Sequence, residues 1–193
     1  MIPVSTVSKA HCPKELKVTW KESQDLLQNS YQQTPDSIGR FQIDRDLSGR
    51  RAQVYYDPLA NESVVVHRGT QGLADWGTDL GMVFGYRGKR FQHAHDVQEK
   101  ANKKYQSSHM TTLGHSLGGK LAEEAGAGTD VVTLNKAALP FQENKNKNQL
   151  DVKNRNDLVS ALHFMQEGGH RPMLLENNDL LTPGNVLKAH AIV

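Results

Sequence analysis

Apolar residues fall along this chain in two rhythms. Short unbroken runs, QVYYDP (53–58), SVVVHRG (63–69), HMTTLG (109–114) and DVVTLN (130–135), have the length and β-branched or aromatic content of buried strands. The first two are separated only by Pro58-Leu59-Ala60-Asn61, which predicts a hairpin. Helical spacing appears elsewhere. Ala94, Val97, Ala101 and Tyr105 recur through residues 92–106. KESQDLLQNSYQ (21–32) gives a shorter helix with a thin apolar set, ended by Thr34-Pro35-Asp36. KLAEEAGA (120–127) predicts a helix leaving the strand at 109–114, and LDVKN (150–154) and SALHFM (160–165) predict further strands. Residues 142–149 form a polar surface loop in this reading, and residues 166–189, with Gly168, Gly169, Pro172, Pro183 and Gly184, are turn-rich. There is no internal repeat or linker, so a single domain over 1–193 is expected. Strands alternating with helices predict an α/β fold with a mostly parallel central sheet flanked by helices.

Composition narrows the function without naming it. Of 193 residues, 37% are hydrophobic and 23% charged, the profile of a folded globular chain. The formal net charge of +2 is too small to argue for nucleic acid. Clusters such as Lys100, Lys103 and Lys104 read as solvated faces. Cys12 is the single cysteine, so a disulfide-stapled fold is not expected. The first residues, MIPVSTVSKAHCPK, show no secretory pattern, and the longest aliphatic run is Val64-Val65-Val66, so neither a signal peptide nor a transmembrane helix is expected. An intracellular or virus-like delivery context fits this better than classical secretion.

The chemistry concentrates in TTLGHSLGGKL (111–121), where two motifs share letters. Gly114 to Lys120 is most of a phosphate-binding loop, G-x-x-x-x-G-K. That loop requires Ser or Thr next for a magnesium ion, and Leu121 stands there. Gly114-His115-Ser116-Leu117-Gly118 is G-x-S-x-G, the turn that presents a nucleophilic serine between a strand and a helix. The predicted strand before it and helix after it favour this second motif. Such a turn strains the serine backbone and needs neighbours nearly without side chains, which Gly114 and Gly118 supply.

Other segments carry a family resemblance. SVVVHRGTQGLADWGTDL (63–80) resembles the class 3, fungal-type lipases, in which a strand runs into R-G-[ST] and then a D-W-x-x-D-L-like segment. Here these are Arg68-Gly69-Thr70 and Asp75-Trp76-Gly77-Thr78-Asp79-Leu80. DVVTLNKAALPF (130–141) is similar to the strand after the family's serine elbow, and VKNRNDLVS (152–160) to the segment carrying its acid. The resemblance covers about residues 40–160. It implies a compact α/β-hydrolase-like fold and a Ser–Asp–His triad in that chain order. Carried over, Ser116 is the nucleophile and Asp157 the acid, while Thr70 and Leu117 supply the backbone donors of an oxyanion hole. His190 is the best-placed histidine. His170 is the second candidate, and His163 reads as a buried structural residue. The same resemblance implies hydrolysis of a lipid ester, acylglycerol or phospholipid, with no cofactor and no metal. It also implies transient contact with a membrane surface, and a lid at 71–77 with Leu73 and Trp76 as its apolar face. Nucleic acid is not an expected partner, and the oligomeric state is not legible.

Alternatives stay open. Asp151 competes with Asp157 as the acid. His93 and His95 alternate as metal ligands sometimes do, but lack a third ligand at a suitable spacing. His115 is expected to pack at the site edge. A hydrolase of soluble esters and a lipase-fold binding protein without catalysis are the rival functions.

Overall fold

The computed structural model describes residues 16–70, 88–137, 146, 148–154 and 173–175. Its centre is a seven-stranded sheet in sequential order: β1 (Gln42–Ile43), β2 (Ala52–Asp57), β3 (Glu62–His67), β4 (His109–His115), β5 (Asp130–Leu134), β6 (Gln149–Asn154) and β7 (Met173–Leu175). The first three strands pair antiparallel and all later pairs are parallel. The predicted hairpin is β2–β3, in register from Ala52 opposite His67 to Asp57 opposite Glu62.

Helices cover both faces. α1 (Trp20–Ser30) starts one residue earlier than its apolar spacing predicts, because Thr19 and Glu22 form a capping box. Leu26 and Leu27 of α1 are fully buried in one cluster with Phe41, Tyr55, Val64, Val66, Leu113, Val132, Leu134 and Val152. On the opposite face α2 (Lys89–Lys104) puts Val97 and Ala101 against Ala52, Val54, Val65 and Met110. Val65 thus points one way while Val64 and Val66 point the other. This is why the run is apolar throughout rather than alternating. Burying each of these valines stabilises the fold by about 1.5–3 kcal/mol. Phe91 and Ala94 of α2 pack on Leu121 and Ala125 of α3 (Leu117–Ala125).

Two further expectations are corrected. α3 begins at Leu117, directly on the elbow, rather than at Lys120. Glycines at 118 and 119 hide that first turn from any propensity argument. Residues 166–189, read as turns, contain β7, which extends the sheet by pairing Val152 with Met173 and Asn154 with Leu175. A three-residue strand between turn residues carries too short a pattern to register in sequence. The predicted strand at 160–165 and most of the loop at 142–149 lie outside the described residues.

Candidate active site

Ser116 stands between the end of β4 and the first residue of α3, with φ 59° and ψ −128°. Positive φ is unfavourable for a residue with a side chain and persists only where surroundings over-determine it. Here three backbone bonds do so. Ser116 N–H donates to the Leu134 carbonyl at 3.0 Å, and the Ser116 carbonyl accepts from Gly119 N–H at 2.9 Å and Ala137 N–H at 3.1 Å. The elbow is therefore tied to the end of β5 as well as to its own helix. A Cβ on Gly114 would lie 2.1 Å from the Gly118 carbonyl oxygen, and one on Gly118 would lie 2.0 Å from the carbonyl oxygen of His67. Both glycines are thus demanded by close backbone approach.

The resulting serine is unusual among polar groups of the core. It is 2% exposed, and its Oγ has no hydrogen-bond partner among the described residues. A buried hydroxyl left unpaired costs about 1–3 kcal/mol. Leu117 is also buried, and as the first residue of α3 its N–H has no acceptor in the helix ladder. Hydroxyl and helix N-terminus therefore lie together at the carboxyl end of a parallel strand, where open α/β sheets place their ligands.

The segment carrying Thr70 closes against this elbow. A Cβ on Gly69 would meet the His115 carbonyl oxygen at 2.8 Å and Ser116 Cβ at 3.3 Å. Gly69 N–H donates to the Tyr31 hydroxyl at 3.1 Å, and the same hydroxyl lies 3.0 Å from Nδ1 of His115. The Tyr31 hydroxyl thus ties the Gly69 peptide to the His115 ring of the elbow. Burial pushes the Tyr31 phenol up to about 12, offset in part by the Gly69 N–H and by the charges of Arg68 and Arg90. The phenol therefore remains a neutral donor at physiological pH. Arg90 holds the loop from its other side, donating to the Arg68 carbonyl at 2.9 Å and lying 3.5 Å from the Thr70 hydroxyl.

Ser116, Leu117 and Thr70 thus converge in one region. Asp157, His190, His170, His163, Cys12 and the lid segment at 71–77 lie outside the described residues. Asp151, the competing acid, sits within β6 and is consumed elsewhere. It accepts from Gln149 Nε2 at 2.8 Å and from Lys136 Nζ at 3.2 Å, and also from the Thr133 hydroxyl. Lys136 bridges Asp151 to Glu123, and Lys120 binds the other oxygen of Glu123 at 2.6 Å. The lysine that suggested a phosphate loop is 3% exposed and serves this internal ion network, which fastens α3 to the ends of β5 and β6. His95 is exposed and His93 half-buried on α2, and no cluster of metal-ligating side chains occurs among the described residues.

Sequence reasoning did not find Tyr31. It ends a helix distant in the chain, and nothing around it announces a partner at Gly69. Nor did it find His67, which is 1% exposed with Nε2 3.3 Å from the Gln98 amide oxygen. Burial pushes His67 down to about 4, so it is neutral in the folded protein near pH 7. The unfolded chain, with an ordinary value near 6.5, binds the extra proton first. Stability should therefore be full above about pH 6.5 and fall by about 3 kcal/mol as pH drops toward 4. Denaturant unfolding at pH 7.5 and 4.5 checks this. His67→Gln should lose less between the two pH values than the wild type, and equal losses would show that His67 is not the titrating group.

A family model described as phospholipase-like, the Tle-like phospholipase domain, matches residues 11–169. No curated protein matches the chain. Among solved structures, the native Rhizomucor miehei lipase–propeptide complex is similar at 15% identity and a TM-score of 0.50, over 84% of this chain and 72% of that one. A nonglycosylated lipase of Yarrowia lipolytica gives 15% and 0.50, over 81% and 77%. A deletion mutant of the Rhizomucor miehei complex gives 17% and 0.47, over 66% of this chain; the chain spans only 52% of that structure's length. At these identities the two structures with a TM-score of 0.50 establish the α/β lipase fold alone.

Proposed function

The chain belongs to the Tle-like phospholipase domain family, and from that premise we propose that it cleaves acyl esters of phospholipids with Ser116 as nucleophile. The observation that carries the proposal is the Ser116 hydroxyl itself. It is buried, unpartnered among the described residues, and held at φ 59° on a turn fixed by three backbone bonds. A fold maintains strain and an orphaned hydroxyl together where chemistry uses them.

In this mechanism His190 removes the proton from Ser116 Oγ as the oxygen attacks the ester carbonyl, and Asp157 holds the imidazole in the required tautomer. The backbone N–H groups of Thr70 and Leu117 receive the developing oxyanion, each worth roughly 3–4 kcal/mol if it matches donors of this type elsewhere. His190 then returns the proton to the leaving alcohol. Water, activated by the same histidine, hydrolyses the acyl-enzyme. No step requires a cofactor. The binding role of Tyr31 is to fix Gly69, and hence the Thr70 peptide, against the elbow.

A fluorophosphonate probe read by intact mass tests the assignment. One adduct is expected on the wild type and none on Ser116→Ala. Asp157→Asn and His190→Ala should label far more slowly, whereas His170→Ala should label at the wild-type rate. An adduct of equal yield on Ser116→Ala would sink the proposal.

A further inference from the structure

The β2–β3 register places the residues before β2 beside those after β3, because Ala52 pairs with His67. Arg51 and Arg68 are consequently neighbours, joined by the Arg68 N–H donating to the Arg51 carbonyl at 3.0 Å. The first turn of α2 adds Arg90. Together Arg50, Arg51, Arg68 and Arg90, with Gly69 and Thr70, line a cavity of about 370 Å³. That is within the range of small-ligand sites.

Among the described residues its charges are unbalanced. None of the ion pairs among the described residues uses any of these four arginines. By contrast Arg40 alone engages Glu22, Asp57 and Glu62. Arg50 and Arg51 are exposed, but Arg68 is only 6% exposed and Arg90 is half-buried. Arg68 Nη2 and Arg90 Nε are buried without an acceptor among the described residues. The helix bearing Arg90 has no acidic residue in its first turn, so its positive end reinforces the imbalance. Burial foremost, with further contributions from neighbouring arginines, lowers the affinity of both inner guanidinium groups for their protons. Among the described residues, like charges are thus gathered with two guanidinium N–H groups left over, although the Arg68 guanidinium also lies over the Tyr31 ring, and planar guanidinium forks fit phosphate oxygens.

We propose that this arginine-lined cavity beside Thr70 is the subsite for the phosphate of the substrate headgroup. The position suits that ligand. The cavity wall includes Gly69, whose Cα hydrogen side faces Ser116 Cβ. In a glycerophospholipid only a few covalent bonds separate the phosphorus from the acyl ester. A phosphate held by Arg68 and Arg90 therefore sets the ester within reach of the serine, and Arg50 and Arg51 at the rim attract the headgroup. This rests on Ser116 being the nucleophile, and the test keeps the two apart.

Calorimetry on Ser116→Ala, at low salt, would use inorganic phosphate, dihexanoyl phosphatidylglycerol below its micelle threshold, and dihexanoylglycerol. Both phosphorus compounds are expected to bind, the lipid more tightly than inorganic phosphate. The same protein carrying Arg50→Gln and Arg51→Gln, and separately Arg90→Gln, should bind the phospholipid at least ten-fold more weakly. In the Ser116 protein these changes should lower the ratio of kcat/KM for phosphatidylglycerol over that for dihexanoylglycerol at least ten-fold. The rim pair is exposed, so its variant keeps the test valid should Arg90→Gln fail to fold. An unchanged ratio overturns the headgroup subsite, even if inorganic phosphate binds. If neither ester is hydrolysed but arginine-dependent phospholipid binding remains, the subsite stands and the nucleophile assignment falls.

Discussion

Ser116→Ala is expected to lower kcat by about 10⁴-fold or more and, in the same protein, to leave stability equal or raised. The two halves have one cause. Among the described residues the hydroxyl that attacks the ester is buried with no partner, so the folded state carries a desolvation cost that only the proposed bond to His190 offsets. Removing the oxygen removes up to about 1–3 kcal/mol of that cost. At this chain length each kcal/mol raises Tm by about 2–4 °C. Ser116→Gly should go further, because glycine occupies φ 59° without the penalty a Cβ imposes. A structural serine would behave in the opposite way, losing stability with its hydrogen bonds. Initial rates on a short-chain phospholipid, together with calorimetric Tm values for the three proteins, decide the matter. Retained activity in Ser116→Ala, or a marked fall in its Tm, would contradict the assignment.

Gly118→Ala is expected to cost roughly 4 kcal/mol or more, lowering Tm by about 10 °C and sharply reducing the yield of folded protein. The added methyl would sit 2.0 Å from the His67 carbonyl oxygen and 2.9 Å from the Arg68 carbonyl carbon. Neither atom can retreat. His67 ends β3, which is paired on one side to β2 and on the other to β4. Arg68 is pinned by the bonds of its N–H to Arg51 and its carbonyl to Arg90. Relief must come from lifting α3 off the sheet, which opens the contact of Leu121 and Ala125 with Phe91 and Ala94. By helix propensity alone the change should gain about 1 kcal/mol, so the expected sign is opposite to the local preference. Gly49→Ala is the control, since a Cβ there meets nothing within 4 Å, and a shift within about 0.5 kcal/mol is expected. Equal Tm values for the two variants would show that the elbow is looser than its geometry implies.

These two positions mark how far the sequence could be read. The hydrophobic runs determined the hairpin, the parallel strands and both long helices, because burial on two faces leaves a local imprint such as Val64-Val65-Val66. G-x-S-x-G determined the serine elbow because part of its demand is local, Gly114 closing on Gly118 four residues later, although Gly118 is held to glycine by His67 across the sheet. Tertiary structure alone decided the rest. β7 exists only because β6 offers an edge to pair with. Leu121 already argued against a phosphate role for Lys120, but only the fold gives that lysine its place, paired with Glu123, which Lys136 also engages. Tyr31, Arg50, Arg51, Arg68 and Arg90 belong to four separate segments, and no periodicity or motif links them. Only strand register and helix packing bring them to one end of the sheet, beside Ser116, since long-range contacts leave no spacing rule in the chain.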